Sequence, residues 1–341
     1  MKTSDFDYFL PEELIAQTPT EPRDHSNLMI VDRMTGSLKH EKFFSIKNHI
    51  EEGDLLVFNN SRVIPARIYV NRAGTGGKAE LLLLQRLESN VWRSLVRPGR
   101  RMRVGLEFEA SNGAAKIQGQ IIKIEEDGSR IIKFSDDNLL KQIGEMPLPP
   151  YINKSLENPE RYQTVYSDKE GSVAAPTAGL HFTNDLMKQL EDIVVSLTFV
   201  TLHIGLDTFQ PIKHENPLDH KIHTEYWELS KETANLINET KNQKGRVIAV
   251  GTTSVRVLEH AAQLSKGSEL QPGSGWADLF IYPGYQFKTI DAMITNFHLP
   301  RSTLLLLVSA FGTKDLIFKA YNEAVLNRYS FYSFGDAMMI I

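Results

Sequence analysis

Histidine, hydroxyl and carboxyl side chains are concentrated in one stretch of the chain, Ser172–Tyr226. Its candidates for moving protons or holding a ligand are Thr177, His181, His203, Thr208, His220, His223 and Glu225. An unperturbed histidine titrates close to neutral pH, so it can act as a general base or a general acid without a metal. A single histidine is most commonly a hydrogen-bonded part of the core, and it is therefore the grouping that predicts a catalytic site.

The spacing of His220, His223 and Glu225 raises the question of a metal site. These residues form the pattern H-x-x-H-x-E, which fits no firm zinc pattern, and the sequence contains no H-E-x-x-H motif. It also contains no cysteine, which excludes disulfides, zinc ribbons, iron–sulfur clusters and a thiol nucleophile. We therefore expect no metal, and we favour a neutral histidine, oriented by a carboxylate, as the general base.

A second polar cluster directly follows the apolar run Leu55–Phe58. The run predicts a buried strand, and open α/β sheets bind ligands beyond the carboxyl ends of their strands. The side chains of Asn59, Asn60 and Arg62 are therefore candidates for ligand binding. The alternative interpretation is a turn in which the asparagine side chains cap their own backbone.

A third cluster follows the predicted strand Arg246–Val250 and opens a predicted helix. It consists of Gly251, Thr252, Thr253 and Ser254. The N-terminus of a helix offers free N–H groups, and together with hydroxyl side chains these can bind a carboxylate or a phosphate. The Walker A pattern G-x-x-x-x-G-K-[ST] does not occur, so nucleotide hydrolysis has no support. An ordinary capped helix is the alternative.

Helical and strand patterns alternate along most of the chain and would position these clusters. The alternation predicts an α/β fold, in which a larger α/β domain (residues 1–64 and 151–341) contains a mixed or parallel sheet. Its predicted elements include strands at Leu279–Tyr282 and Ala292–Phe297 and a helix that begins at Ser302. If the strands run parallel, the three polar clusters converge on one crevice.

The central segment, residues 65–150, predicts a different fold. Short strands follow one another closely with almost no helical periodicity, which is typical of a small antiparallel β-barrel. The proline-rich sequence EMPLPPY indicates a linker at its end. Gly74, Gly76 and Ala79 match the dinucleotide pattern G-x-G-x-x-A, but a strand follows them where that motif requires a helix, so we predict a hairpin turn. We therefore expect an inserted β-barrel domain.

The inserted segment is basic, with 14 Lys and Arg against 10 Asp and Glu, whereas the remainder of the chain is acidic. Its arginines are grouped beside Trp92: Arg93, Arg97, Arg100, Arg101 and Arg103. Guanidinium groups close to an aromatic ring suit RNA phosphates and base stacking. The alternative is a solvated strand-and-turn surface, which is the usual role of a run of charges.

Length and composition set the broad class of protein. A chain of 341 residues, 41% hydrophobic and 23% charged, predicts two globular domains. Acidic residues near the N-terminus occupy the place of a signal peptide's apolar core, and the longest apolar run is far shorter than the ~20 residues of a spanning helix. We therefore expect a cytoplasmic protein without a membrane segment, and a monomer.

Eight segments of the chain together carry a family resemblance. They are LPEELIAQTP, FNNSRVIPARI, GSVAAPTAGLHFT, VTLHIGLDTFQPI, DHKIHTEY, GTTSVRVLE, FIYPGYQFKTIDAMITNFHLPRSTLLLLVSAF and GDAMMII. In this order, and over nearly the whole chain, they closely resemble the S-adenosylmethionine:tRNA ribosyltransferase-isomerases of queuosine biosynthesis. One segment departs from the family pattern HxGxGTF, because Asp207 stands where glycine is usual. Asp207 is therefore a poor candidate for catalysis.

The resemblance implies both a fold and a reaction. The fold would be an α/β domain interrupted by a small β-barrel domain. The reaction would transfer and isomerise the ribosyl group of S-adenosylmethionine, a co-substrate, onto 7-aminomethyl-7-deazaguanine in tRNA. The product would be epoxyqueuosine-tRNA, and adenine and methionine would be released. The implied partners are S-adenosylmethionine and the tRNA that carries the deazaguanine precursor.

The implied reaction needs proton transfers that histidine can perform. The sulfonium acidifies the ribose C5′ hydrogens, so a general base is needed there, and the departing adenine needs a proton donor. We assign these duties among His181, His203 and His223, with Glu225 orienting a histidine.

The resemblance also implies binding residues. Arg256 and the cluster 251–254 would hold the methionine carboxylate or the ribose hydroxyls, and Asn59, Asn60 and Arg62 would hold polar edges of the co-substrate or the deazaguanine. The arginines at 93–103 would contact the tRNA backbone.

Two other functions fit parts of the sequence. A non-catalytic RNA-binding module would explain the basic segment, but it would leave the histidines without a role. An RNA methyltransferase that uses S-adenosylmethionine is the other alternative, and the lack of a glycine-rich fingerprint after a first strand argues against it.

Overall fold

A computed structural model of the chain describes residues 1–193, 195–205, 211–222 and 224–341. Three residues discussed above, Asp207, Thr208 and His223, lie outside these ranges. The described chain forms two compact units. The larger consists of Met1–Ser61, Pro149–Lys169 and Ala175–Ile341, and the smaller of Arg62–Leu148 and Glu170–Ala174. The predicted domain bounds stay a prediction, because compactness alone does not test whether each part folds independently.

The strands and helices of the described residues are numbered in chain order. The strands are β1 (Asn27–Val31), β2 (Leu38–Lys42), β3 (Leu55–Asn59), β4 (Ser61–Val63), β5 (Arg67–Arg72), β6 (Lys78–Glu88), β7 (Val91–Arg97), β8 (Glu107–Asn112), β9 (Ala115–Ile124), β10 (Arg130–Phe134), β11 (Lys169–Ser172), β12 (Ser196–Leu202), β13 (Glu225–Leu229), β14 (Val247–Val250), β15 (Gly273–Ala277), β16 (Ala292–Asn296) and β17 (Ala337–Ile340). The helices are α1 (Leu140–Ile143), α2 (Asn184–Asp192), α3 (Lys231–Asn242), α4 (Thr252–Leu264), α5 (Thr303–Gly312) and α6 (Lys314–Leu326). Over the ranges described, no helix is long and apolar enough to cross a membrane.

A mixed sheet forms the centre of the larger unit. Counted over the described residues it has nine strands, in the order β15-β13-β12-β3-β14-β16-β17-β1-β2. The adjacent strands β12, β3, β14 and β16 run parallel, and antiparallel pairs flank them on both sides. Strands β3, β14 and β16 are buried along their whole length, as expected where both faces of a parallel sheet are covered. The predicted α/β class with a mixed sheet is confirmed.

Three of the helices begin at residues whose side chains cap them. Thr183, Ser230 and Ser302 each accept a hydrogen bond from the backbone N–H three residues further on, and so cap α2, α3 and α5. Helix α4 differs from these three, because its N-cap is Gly251 and no side chain caps it. Its first turn therefore retains backbone N–H groups that have no intrahelical acceptor.

A closed antiparallel barrel forms most of the smaller unit, with the strand order β10-β7-β6-β5-β8-β9. Alternate residues face its interior, and along β9 these are Ile117, Gly119 and Ile121. Gly119 leaves room for Phe108, because a Cβ at Gly119 would lie 2.5 Å from the Phe108 ring. Strands β5 and β6 pair antiparallel on either side of residues 73–77, so the predicted hairpin turn and the predicted barrel are confirmed.

One predicted strand is wrong, and a real strand lies just before it. Leu279–Tyr282 is irregular, whereas β15 occupies the glycine-rich sequence Gly273–Ala277 and pairs with β13. Glycine is depleted in strands, so the sequence pattern predicted a strand in the more apolar Leu279–Tyr282 and not in Gly273–Ala277. The tertiary structure explains the glycines, since a Cβ at Gly273 would lie 3.0 Å from the ring of Trp227 on β13.

Candidate active site

The carboxyl ends of β14 and β16 open onto a cavity in the larger unit, which we call the main cavity. It holds about 600 Å³ of free space, part of it open to solvent. Its wall consists of residues 175–178, 251–253 and 295–299, with Tyr151, Ile204, Ser302, Leu304, Tyr332 and Ser333. Eight of these residues are Thr, Ser or Tyr and carry hydroxyl groups, and none of the described residues of the wall is Asp, Glu, Lys or Arg. Most of the wall surface is apolar, and its hydrogen-bonding groups come from uncharged side chains of the described residues.

The first turn of α4 gives the main cavity the properties of an anion site. Gly251 has φ of +87°, a conformation that favours glycine, and its N–H donates to the carbonyl of Ile294 at 2.8 Å. The hydroxyl of Thr253 is buried and makes no hydrogen bond among the described residues. A bound carboxylate would accept from this hydroxyl and from the free N–H groups of the turn. Ser254 differs, because its hydroxyl donates to the carbonyl of Val250 at 2.8 Å inside the core.

His181 lies beneath the wall of the main cavity and acts on it through Asn296. Thr177 Oγ1 donates to Asn296 Oδ1 at 3.0 Å, so the amide nitrogen of Asn296 faces His181 Nε2, 3.1 Å away. His181 Nε2 is then an acceptor, and Nδ1 carries the proton and donates to Ser26 Oγ at 2.7 Å. Burial lowers the pKa of His181 to about 3, and Phe43 stacks against the ring. This geometry suits a neutral histidine that orients Asn296 better than one that transfers protons.

His298 lines the main cavity, although the sequence analysis did not select it. Its Nε2 is 2.8 Å from Thr295 Oγ1, and its backbone N–H donates to the hydroxyl of Tyr321 at 2.8 Å. Its carbonyl accepts from the hydroxyl of Tyr8 at 2.6 Å. Burial lowers the pKa of His298 to about 3, so the imidazole is neutral at pH 7.

His203, a predicted catalytic residue, lies at the end of β12 and does not line the main cavity, although Ile204 does. Its ring stacks on Tyr226 with ring centres 5.7 Å apart. Burial lowers the pKa of His203, and the charge of Glu228 partly offsets this effect. Its Nδ1 is buried without a hydrogen bond to any described residue. In the part of the chain that the structure covers, no group of three or more His, Asp or Glu side chains could hold a metal ion.

Glu225 and Arg256 line a second cavity of about 580 Å³, also partly open to solvent. They form an ion pair in which both side chains are largely buried. Glu225 Oε1 also accepts from the N–H of Gly205 at 2.8 Å. The described partners of Glu225 are thus a guanidinium and a backbone amide, and none is a histidine. Leu304 belongs to the walls of both cavities, so the two adjoin.

The two asparagines of the cluster after β3 are hydrogen-bonded within the fold. The fully buried amide of Asn59 donates to the carbonyl of Leu202 and accepts from the N–H groups of Leu202 and Ser61, all within 3.1 Å. Asn60 Oδ1 accepts from the hydroxyl of Thr201 at 2.8 Å. Neither asparagine lines either cavity described above, and Arg62 belongs to the smaller unit. The geometry favours the interpretation in which these asparagines cap the backbone.

The arginine cluster lies in the smaller unit, and its members differ. Arg93 forms an ion pair with Asp127 at 2.5 Å and donates to Ser129 Oγ, while Trp92 donates to Asp137 at 3.0 Å. The remaining members are exposed to solvent: Arg97, Arg100, Arg101 and Arg103. The exposed four can reach an RNA backbone, whereas Arg93 would first have to leave Asp127.

Several residues of the main cavity were not anticipated from the sequence. Thr295, Asn296 and His298 stand at the end of a correctly predicted strand, where the rule that selected the other three clusters applies equally. Ser302, already recognised as a helix cap, also lines the cavity. Tyr151 and Ser333 are far apart in the chain and are joined by a 2.7 Å hydrogen bond, which no local pattern indicates.

Comparisons with known proteins agree with one another over the full length of the chain. A family model described as "Queuosine biosynthesis protein" matches residues 3–340. The S-adenosylmethionine:tRNA ribosyltransferase-isomerase of Clostridioides difficile (strain 630) is 52% identical over 344 residues, which covers 100% of both proteins. The crystal structure of S-adenosylmethionine tRNA ribosyltransferase from Thermotoga maritima is 40% identical, with a TM-score of 0.57, and the match covers 99% of this chain and 100% of that one. The chain belongs to the queuosine biosynthesis protein family.

Proposed function

We propose that this chain transfers and isomerises the ribosyl group of S-adenosylmethionine onto 7-aminomethyl-7-deazaguanine in tRNA, with release of adenine and methionine. One observation carries the proposal: a relative named S-adenosylmethionine:tRNA ribosyltransferase-isomerase is 52% identical over the full length of both chains. The chain is then a transferase, with S-adenosylmethionine as co-substrate and tRNA as acceptor. The comparisons favour neither an RNA methyltransferase nor a non-catalytic RNA-binding module.

The main cavity is our candidate site for S-adenosylmethionine. The methionine carboxylate would bind at the first turn of α4, which has no side-chain cap and where the Thr253 hydroxyl makes no hydrogen bond to a described residue. The ribose hydroxyls would bind the hydroxyl and amide groups of Thr177 and Asn296, which His181 holds in one orientation. These side chains supply the uncharged hydrogen-bonding groups that a ribose requires.

The uncharged wall also suits the sulfonium of the co-substrate. Burial keeps His181 and His298 neutral at pH 7, since it lowers the pKa of each to about 3. A protonated histidine beside the sulfonium would repel it by about 4 kcal/mol at 4 Å with an effective dielectric constant of 20. The neutral rings avoid this cost and remain able to accept or donate hydrogen bonds.

The proposed reaction needs a base that removes a proton from C5′ and an acid that protonates the departing adenine. A base with a pKa of about 3 is weak at pH 7, so we assign His181 to orienting Asn296 and His298 to hydrogen bonding with the substrate. Proton abstraction from C5′ and protonation of the departing adenine are left to His203 and His223, as predicted from the sequence. His203 immediately precedes Ile204, which lines the main cavity.

The test is a product assay with the full chain. The protein is incubated with S-adenosylmethionine and with tRNA that carries 7-aminomethyl-7-deazaguanine, and the small-molecule products are separated by chromatography. Adenine and methionine in equal amounts support the proposal. S-adenosylhomocysteine would instead indicate methylation, and the absence of all three products would indicate binding without catalysis. The matched control is the same tRNA with guanine in place of the deazaguanine.

For the tRNA we propose that Arg97, Arg100, Arg101 and Arg103 contact the phosphate backbone. Three observations support this proposal. The four side chains are exposed to solvent, all are positively charged, and all belong to the smaller, basic unit of the chain. The monomeric state and the cytoplasmic location expected from the sequence stay predictions.

A further inference from the structure

The second cavity contains a buried hydrogen-bond donor that the fold leaves unused. Arg256 Nη1 is paired with Glu225, and Arg256 Nε lies 3.4 Å from the carbonyl of Leu279. Arg256 Nη2 is buried and makes no hydrogen bond to any described residue. A buried guanidinium nitrogen without a partner is costly, so such a group in a cavity wall indicates a ligand that accepts from it.

Glu225 completes a mixed donor and acceptor edge beside that nitrogen. A carboxylate has about four acceptor positions, and the fold uses two of them, for the Gly205 N–H and for Arg256. Two acceptor positions on Glu225 and the N–H groups of Arg256 Nη2 therefore remain. The remaining wall is mostly apolar and includes Leu279, Phe280, Ile281 and Leu307. The ligand that fits is flat and apolar on its faces, with one acceptor and two donors along a single edge.

Guanine-type bases present that edge. Their Watson–Crick side carries the O6 acceptor, the N1–H donor and the 2-amino donor in a row. Adenine offers only one donor and one acceptor there, so it would satisfy one position fewer. Arginine commonly recognises guanine through O6 and N7 together, but a 7-deazaguanine has carbon at position 7. Recognition of a deazaguanine therefore has to use the Watson–Crick edge.

We propose that the second cavity binds the nucleobase of the acceptor tRNA, with Arg256 Nη2 donating to O6 and Glu225 accepting from N1–H and the 2-amino group. The inference rests on the proposed function, because that function supplies a deazaguanine as the second reactant. Leu304 lies in the wall of both cavities, so a base in the second cavity adjoins a ribosyl group in the main cavity. Transfer between two substrates requires such adjoining sites.

Binding of the free base tests the assignment without catalysis. Dissociation constants are measured by calorimetry for 7-aminomethyl-7-deazaguanine, for adenine and for S-adenosylmethionine, with the wild-type chain and with Glu225→Gln. We expect Glu225→Gln to weaken binding of the deazaguanine by about tenfold or more, since it replaces an acceptor by a donor beside N1–H. Binding of S-adenosylmethionine should change by less than about twofold. The matched control is Glu239→Gln on the exposed face of α3.

Glu225→Gln breaks a buried ion pair and can destabilise the chain. Phe280→Ala is therefore a second variant that tests the same cavity without breaking this ion pair. Phe280 is partly exposed, so its truncation should leave the fold intact while removing an aromatic wall of the second cavity. We expect weaker deazaguanine binding in Phe280→Ala as well, with circular dichroism unchanged.

Two results would overturn the inference. If folded Phe280→Ala and Glu225→Gln bind the deazaguanine as tightly as the wild type, the base binds elsewhere. If they lose S-adenosylmethionine or adenine instead, the second cavity belongs to the co-substrate. Either result is compatible with adenine release by the wild-type chain, so failure of this inference is separate from failure of the proposed function.

Discussion

The strand ends after β3 and β14 carry the same kind of sequence signal and have different fates. Both strands are apolar, buried and parallel neighbours in the sheet, and each is followed at once by small polar residues. After β3, the side-chain amide of Asn59 makes three hydrogen bonds to the backbone of Leu202 and Ser61. After β14, the hydroxyl of Thr253 is buried and has no partner among the described residues. The side chain of Asn59 is hydrogen-bonded within the fold, and the hydroxyl of Thr253 is part of the site that we propose for a ligand.

The same contrast occurs within the arginine cluster of the smaller unit. Arg93 is held by Asp127 and Ser129, whereas Arg101 is exposed to solvent a few residues further on. Within the arginine cluster the residue type is unchanged, and in both comparisons the difference is whether the fold supplies a hydrogen-bond or ion-pair partner. Polar groups that the fold leaves unsatisfied are therefore better guides to a binding site than polar groups as such.

The largest effect should come from removing a side chain that the fold uses. Asn59→Ala would leave the N–H groups of Leu202 and Ser61 without their acceptor in a fully buried position. We expect the free energy of unfolding to fall by roughly 3 kcal/mol, because each orphaned buried group costs about 1–3 kcal/mol. Urea unfolding measures it. A loss below about 0.5 kcal/mol would remove the distinction between the two strand ends.

Acid should lower the free energy of unfolding through the buried histidine His181. Burial lowers the pKa of His181 to about 3 from 6.5, so below pH 6.5 the unfolded state binds a proton that the folded state refuses. Stability is therefore complete above pH 6.5 and decreases as pH falls towards 3, by up to about 1.4 kcal/mol per pH unit for this group.

The check on this pH dependence is urea unfolding of the wild type and of His181→Gln at pH 7 and pH 5. We expect a smaller loss of stability on acidification in the variant, because one buried titrating group has been removed. Equal losses in the two proteins would show that His181 does not contribute to the acid sensitivity.

A smaller effect, on binding rather than stability, should follow from Thr253→Val. The substitution removes a hydroxyl that has no partner among the described residues and keeps the shape of the side chain, so unfolding should change by less than about 0.5 kcal/mol. Binding of S-adenosylmethionine should weaken about tenfold, because a charge-assisted hydrogen bond to the methionine carboxylate is lost. Thr253→Ser, which keeps the hydroxyl, is the matched control. Loss of stability without loss of binding would reverse the assignment.

The smallest effect, on the apparent KM for tRNA, should distinguish the exposed Arg101 from Arg93, which is paired with Asp127. Arg101→Gln should raise the apparent KM for tRNA two- to fivefold, as an order-of-magnitude estimate, and reduce its dependence on salt by about one phosphate contact. Arg93→Gln should change both quantities less, because Asp127 already holds that guanidinium. Steady-state kinetics at several salt concentrations measure both. Equal effects of the two substitutions would mean that the ion pair opens when tRNA binds.

Much of the fold could be predicted from local patterns. The alternation of helices and strands, the helix that begins at Ser302, and the barrel with its hairpin turn all depend on neighbours in the sequence. The prediction failed at β15, where glycines are required by Trp227 on another strand. The structure places the first turn of α4 in the wall of the main cavity and Arg256 in the wall of the second cavity, and the roles predicted for these residues stay predictions. His298, which was not predicted as a site residue, also lines the main cavity.

The sequence by itself determined the alternation of helices and strands, the two contrasting segments and the family to which the chain belongs, because periodicity and long matching motifs are local or collinear properties. Only the tertiary structure decided which polar side chains are available. The side chain of Asn59 is hydrogen-bonded to Leu202, which lies far along the chain, whereas the buried hydroxyl of Thr253 makes no hydrogen bond to a described residue. Hydrogen-bond satisfaction depends on partners brought together by folding, and no pattern within a segment records them.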